Sequence, residues 1–381
     1  MFQSLFVYGI TILIMSICGY FATINGKISK NRAFFSWEIV IPILLFSTIA
    51  AIRYDVGVDY LAYLNRYLRV MNLGKLDSRD AIEPLFQWIT VLMANHGFHF
   101  SFYFGLFAFL QILFIYYAFK EERYLYEYLG LAIIAGVTFY TWMNGIRQSL
   151  VTCIFIFLIH YIRDRKFFIY LCWVVICSFI HKSAFLLIPL YFFLYPNKIY
   201  IKNVTLQIIL LCISILLSTQ YIWVDLLDKF DILVNYTSFK NNYSSERILK
   251  EMKDVVFGPR KIIDIIITIG VILKSKEMSE LYSSTSFNRF YNLFFWGELL
   301  LLIGSGSNTI LRILYYFNCA RPILYSYLLY FLQMNKSQRI YDALLFYGII
   351  FLLLIRLLAT LQTGILGSPS VLFQFFWDIE K

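Results

Sequence analysis

At 381 residues, with 60% hydrophobic and 20% aromatic side chains and only 15% charged ones, the sequence lies outside the range of soluble globular chains. The net charge of +10 would point to nucleic acid in a soluble protein. Here the cations collect in short loops and at the ends of apolar runs, so membrane topology accounts for the excess and nucleic acid is excluded as a partner.

The run LFVYGITILIMSICGYF opens a series of apolar stretches; it lacks basic residues before it and an A-x-A site after it, so it reads as a retained span. Further spans are expected near residues 37–52, 99–119, 125–142, 147–161, 167–180, 184–196, 204–223, 261–273, 290–304, 309–332 and 340–360. With the first at 2–22, this predicts an all-α polytopic membrane protein of about twelve transmembrane helices, without strands. Residues 1–381 are taken as a single transmembrane domain. Short basic loops set its orientation: Lys27, Lys30 and Arg32; Lys120 and Arg123; Arg163, Arg165 and Lys166; Lys198 and Lys202; Lys274 and Lys276; Lys336 and Arg339 should face the cytoplasm.

The remaining connections then face outward: 53–98, the breaks at 143–147 and 181–183, the loop 224–260, and 305–308. Within the first, DYLAYLNRYLRVMNLGK has the spacing of a helix lying on the outer membrane surface. EPLFQWITVLMANHGF is apolar, but a crossing there would put Lys120 and the RDRK loop on opposite faces. About 13 residues of helix rise only about 20 Å, so the segment reads as re-entrant or interfacial. The mixed-sign stretch 224–260 reads equally well as a lid over an outward-facing cavity or as a solvated connector. Cys18, Cys153, Cys172, Cys177, Cys212 and Cys319 all lie in apolar runs without metal-ligand spacing and read as packing residues.

Four places put ionisable groups at the outward ends of spans. RYDVGVDYLAY carries Arg53, Asp55 and Asp59 around a turn-permitting glycine; NGIRQS carries Arg147 and Gln148; FIHKSAF carries His181 and Lys182; and Arg312 follows GSGSNT. The runs flanking His181 are each about 20 Å long, too short to bring their junction to the top of a 30 Å layer, so His181 should lie in a depression. Taken singly, each arginine is an ordinary snorkelling anchor and the histidine a packing residue. Together on one face they read as the lining of an outward-open cavity for an anionic ligand, because guanidinium stays charged and grips phosphate or carboxylate with two parallel bonds. Glu298, Arg321 and Arg356 lie deeper, with Asp264 early in its span. Glu298 with Arg321 makes a plausible structural pair, and Arg321 is also a candidate for the cavity floor. No P-loop, H-E-x-x-H, G-x-S-x-G or metal cluster is present in the sequence, so no cofactor or metal is expected.

The ordered set RYDVGVDYLAY, EPLF, NGIRQSLV, HKSAFLLIP and RILYYF resembles the EpsG-like branch of Wzy-type polysaccharide polymerases, over roughly residues 50–325. The resemblance implies a multi-span glycosyltransferase of GT-C-like architecture, joining undecaprenyl diphosphate-linked repeat units on the outer face of the bacterial cytoplasmic membrane. It implies a glycan donor and acceptor carried on that lipid as partners, beside a chain-length regulator and a flippase of the same pathway. The family pattern falls on Arg53, Gly57, Asp59, Tyr60 and Tyr63, on Glu83 and Pro84, on Asn144, Arg147 and Gln148, on His181, and on Arg312 with Tyr316. Of these, Arg147, His181, Asp59 and Glu83 are expected to be catalytic, His181 being the first candidate base. Arg53, Arg312, Gln148, Asn144, Tyr60, Tyr63, Tyr316 and Arg321 are expected to contact substrate. Ligation of finished glycan to another acceptor, and flipping of the lipid-linked glycan, are the rival functions. The tail GSPSVLFQFFWDIEK matches no family motif.

Overall fold

The computed structural model describes residues 1–28, 33–75, 83–218, 257–304, 308–365 and 371–378. Most of the stretch 224–260, expected to face outward, therefore lies outside the described residues, as do residues 305–307 before Arg312. By internal packing the chain divides into two compact units, Met1–Tyr195 with Arg321–Lys381, and Pro196–Ala320.

The first unit begins with α1 (Phe2–Ile28) and α2 (Trp37–Ile52). A two-residue strand β1 (Arg53–Tyr54) leads to α3 (Tyr60–Leu73), α4 (Pro84–Asn95) and α5 (Phe100–Ala118). Then come α6 (Tyr126–Ile134), α7 (Thr138–Asn144), α8 (Ile146–Arg163), α9 (Phe167–Ser178) and α10 (Leu187–Leu194). In the second unit lie α11 (Val204–Leu216), α12 (Pro259–Leu281), α13 (Phe287–Gly304) and α14 (Asn308–Asn318). α15 (Ala320–Asn335) and α16 (Ile340–Ile365) follow, and β2 (Gln374–Phe375) pairs antiparallel with β1. The strand pair is the one departure from an all-α fold among the described residues.

The expected spans appear as helices, but the count of about twelve is not a count of long ones. Among the described residues four helices are long and apolar enough to cross a membrane: Phe2–Gly26, Phe100–Ala118, Ile146–Arg163 and Ile340–Thr363. Others are shorter, such as α2, α9 and α11. Two expected spans are broken. The run 125–142 divides into α6 and α7 at Val137, which takes a left-handed φ of 63°. The run 309–332 divides into α14 and α15.

Breaks in an apolar environment free backbone carbonyls that water does not reach, and buried polar side chains supply the missing donors. Arg356 Nη1 on α16 donates to Gly136 O at 2.6 Å, which accounts for one of the deep charges. Gln111 on α5, itself fully buried, donates to Trp142 O and Ile146 O at 3.4 and 3.3 Å, on either side of the α7–α8 break. Helix α1 lies close against α6. A Cβ on Gly19 would stand 2.2 Å from Tyr126 O, so only glycine permits that approach.

Helix α3 buries Tyr60, Tyr63, Leu64, Tyr67 and Val70, a stripe at helical spacing, and packs against α4. Tyr67 OH donates to Phe98 O at 2.6 Å and Asn95 Nδ2 to Gly74 O at 3.2 Å, tying the far ends of the pair together. The β-pair and the His99 ring, 5.1 Å from Phe376, place residues 53–54, 99 and 374–376 at one end of this unit. Phe373 N donates to Ser4 Oγ at 2.9 Å, and so fastens the 371–378 segment to the start of α1 at that same end.

In the second unit, α13 holds the segment before α11. Asn292 Nδ2 donates to Lys198 O at 2.9 Å and its Oδ1 accepts from Tyr200 N at 3.2 Å. Tyr291 OH on α13 donates to Gln207 Oε1 on α11. All six cysteines are free, with Cys172 and Cys212 exposed and the other four buried.

Candidate active site

The first motif loop and the α7–α8 junction form one body. Gly57 has φ 101°, and a Cβ there would come within 3.1 Å of Asn144 Cα, so a side chain at 57 would be both strained and obstructed. Glycine lets the loop lie against the α7 terminus. Asn144 Oδ1 then accepts from Asp59 N at 2.8 Å.

Arg53 completes this joint from inside. Its side chain is fully buried, donating from Nη1 to Ala50 O at 2.6 Å, from Nη2 to Met143 O at 3.2 Å and from Nε to Val56 O at 3.3 Å. The guanidinium carbon sits 4.9 Å from the Phe104 ring centre and 5.2 Å from that of Tyr60. Tyr60 is fully buried too, stacked on Phe104 at 4.5 Å, with its hydroxyl donating to Arg53 O at 3.1 Å. Three backbone acceptors and two aromatic faces occupy the Arg53 guanidinium, and Tyr60, expected with it to contact substrate, is packed against Phe104 and bonded to Arg53 O, so the contacts of both hold the loop on the helix.

Arg147, at the start of α8, is placed differently. Its Nη1 is ion-paired with Glu83 Oε2, with about a fifth of the arginine side chain still exposed. The other oxygen, Glu83 Oε1, accepts from Lys182 N at 3.1 Å. One carboxylate thus ties the second, third and fourth motifs together. Pro84 at the first position of α4 presets the helix backbone without an N–H to satisfy. The next two amides, Leu85 N and Phe86 N, donate to Phe179 O at 2.9 and 3.4 Å, so the start of α4 is held on the end of α9 two residues before His181. Phe86 and Tyr63 flank the Arg147 guanidinium, with ring centres 5.3 and 6.0 Å away.

Burial pushes the Glu83 carboxyl up, but Arg147, the N–H groups of Glu83 and Lys182, and nearby His181 outweigh it and hold the group below its ordinary 4.5. Glu83 is consequently an anion at neutral pH and an orienter of Arg147. Arg147 Nε is buried with no acceptor among the described residues. Because Glu83 takes the Nη1 corner, the Nε–Nη2 edge, where a guanidinium offers two parallel N–H bonds, has an unmet donor.

The EpsG family model matches residues 36–367. The chain belongs to the EpsG family. Membership carries a polysaccharide polymerase-like role and agrees with a multi-pass membrane protein. Neither a curated protein nor a solved structure matches the chain.

Within this EpsG-family chain, the matched region takes in every expected site residue. The first unit brings together Asp59, Tyr63, Glu83, Asn144, Arg147 and His181, through the contacts above. Gln148 is buried, one residue beyond the cation on α8. Arg321 opens the C-terminal part of the first unit, half-buried on α15. Arg312 and Tyr316 belong to the second unit, the arginine exposed and the tyrosine fully buried on α14. Glu298, also in the second unit, is buried on α13. Two contributors escaped the sequence reading: Phe86 through its ring, and Ser183, which contacts His181. Lys182 was noted for its charge, whereas the bond it makes to Glu83 comes from its backbone N–H. Spacing in the sequence carried no signal for a backbone donor or for a ring that hydropathy counts as core.

Proposed function

We propose that this protein is a metal-independent polysaccharide polymerase of GT-C-like architecture in the bacterial cytoplasmic membrane. It joins undecaprenyl diphosphate-linked oligosaccharide repeat units on the outer face. The observation that carries the reading is the Arg147–Glu83 pair: a fixed guanidinium, part-exposed, with an orphaned Nε, where the family's motifs converge. An isolated buried donor costs about 1–3 kcal/mol, which an oxyanion reaching that edge recovers.

In the proposed reaction the acceptor unit's hydroxyl oxygen attacks the anomeric carbon of the donor glycan. The bond from that carbon to the diphosphate oxygen breaks, and undecaprenyl diphosphate leaves with the bonding electrons. Arg147 stabilises the charge growing on the diphosphate, the kind of electrostatic contribution that is usually the largest in catalysis. Glu83, held as an anion, keeps the guanidinium in place and is ill suited to accept a proton. Asp59, half-buried beside Asn144, is the carboxylate we assign to receive the hydroxyl proton.

The test is glycosyl transfer by purified protein in lipid with a lipid-linked repeat unit, supplied alone and with a foreign lipid acceptor added, products being separated by length. Wild type should give a ladder, and Arg147→Lys should reduce its formation by about 10²–10³-fold. An undiminished ladder from Arg147→Lys overturns the assignment. Transfer only to a foreign lipid acceptor would make the protein a ligase, and no new glycosidic bond would make it a flippase.

A further inference from the structure

We infer that His181 acts on the substrate as a hydrogen-bond donor through Nε2, and not as the general base. The inference rests on the polymerase reading above and assigns a role within that same site. The Ser183 backbone N–H donates to His181 Nδ1 at 3.3 Å, and Ser183 Oγ lies 2.6 Å from the same nitrogen. A backbone amide has only a proton to offer, so Nδ1 must present its lone pair. The neutral ring therefore carries its hydrogen on Nε2.

A base working through Nε2 needs the opposite tautomer. That form would aim an Nδ1 hydrogen at the amide hydrogen of Ser183 and lose the bond that fixes the ring. The fixed tautomer instead puts an N–H on Nε2 of a ring that stands within electrostatic reach of Glu83 and next to Lys182, whose backbone N–H bonds that carboxylate. A donor so placed suits an oxygen of the diphosphate, adding to the Arg147 cation without gaining or losing a proton itself.

The same device occurs a second time. His99 opens α5 in the sequence HFS, with Ser101 N 3.3 Å and Ser101 Oγ 2.7 Å from its Nδ1. There the ring is exposed against Phe100 and Phe376, away from the ion pair. H-x-S capping thus sets the tautomer of two of the chain's four histidines, and location decides whether the Nε2 hydrogen serves chemistry. His99 provides an internal control.

The chain has four histidines, so ring nitrogens of the full-length protein in lipid can be assigned by single replacement. Histidine-¹⁵N-labelled protein should show His181 with Nε2 protonated and Nδ1 unprotonated at neutral pH in long-range ¹H–¹⁵N spectra. In the transfer assay, His181→Gln, which keeps an N–H near the Nε2 position but cannot accept the proton, should retain activity within about tenfold of wild type. His181→Ala should lose about a hundredfold or more, and His99→Gln should be unchanged. A protonated Nδ1, or a folded His181→Gln as inactive as His181→Ala, overturns the donor role. Loss of the polymerase reading has another signature, no ladder from wild-type protein, and leaves the tautomer spectrum unaltered.

Discussion

Arg53 and Arg147 both stand at helix ends in motifs of one family, and hydropathy reads them alike. Arg53 is enclosed, its donors distributed over Ala50, Val56 and Met143 carbonyls, where it holds a loop on a broken helix. Arg147, reaching the same junction from its far side, meets a carboxylate at one corner and nothing at Nε. The contrast shows that a buried arginine is a tool for repairing backbone where helices stop, and becomes a ligand site only when its donors are incompletely matched. The first arginine helps to position the second, because the end of α7 that it holds at Met143 O lies four residues before Arg147.

Substitutions separate the two. The largest effect is expected for Arg53→Met, which leaves three carbonyls without a donor and should cost about 3 kcal/mol or more in stability. Thermal unfolding of the purified protein in detergent should register it as a large drop in Tm and poor recovery. An Arg53→Met protein with normal Tm and no transfer would erase the contrast. Arg147→Lys should do the reverse, keeping a Tm near wild type while losing the polymer ladder. Gly57→Ala comes next, since a non-glycine residue at φ 101° costs about 1–3 kcal/mol; the loss should appear in Tm before it appears in activity.

The smallest effect concerns pH. The Glu83 pKa is depressed, so the stability it contributes is fully present above its ordinary 4.5 and is lost as pH falls through the lower, folded value. Wild-type Tm should therefore fall more steeply than that of Glu83→Gln below about pH 4.5, with the two slopes equal near neutrality. Parallel curves throughout would mean that the ion pair is not the anchor of Arg147.

Much of the helical frame was legible because apolar length is a strong signal: α2 begins and ends at the expected residues 37 and 52, and α5 falls within one residue of expectation at each end. The breaks at Val137 and between Asn318 and Ala320 were not, since an apolar run looks continuous whether its backbone kinks or not. The site was legible as a set of motifs but not as a division of labour. The sequence shows that Arg53 is charged and near a span end; it does not show whether a carbonyl or a ligand will meet it. Glu83 was singled out as a catalytic residue and a candidate base after His181, whereas its partners Arg147 and Lys182 N, 64 and 99 residues away, favour a fixed anion. Only folding brings those groups together.

The β1–β2 pair joins Arg53 and Tyr54 to Phe375 and Gln374, residues made some 320 positions later. Phe375 lies past position 367, where the family match stops. During synthesis α2 and the motif loop enter the bilayer long before their strand partner exists, so the edge next to Arg53 stays open until some 320 further residues have been made. A ribosome stalled after α16 would leave a membrane-inserted chain with its helices in place and that edge unsealed. Assembly of this end of the protein is therefore timed by a stretch that emerges some 320 positions after the charge it pairs beside.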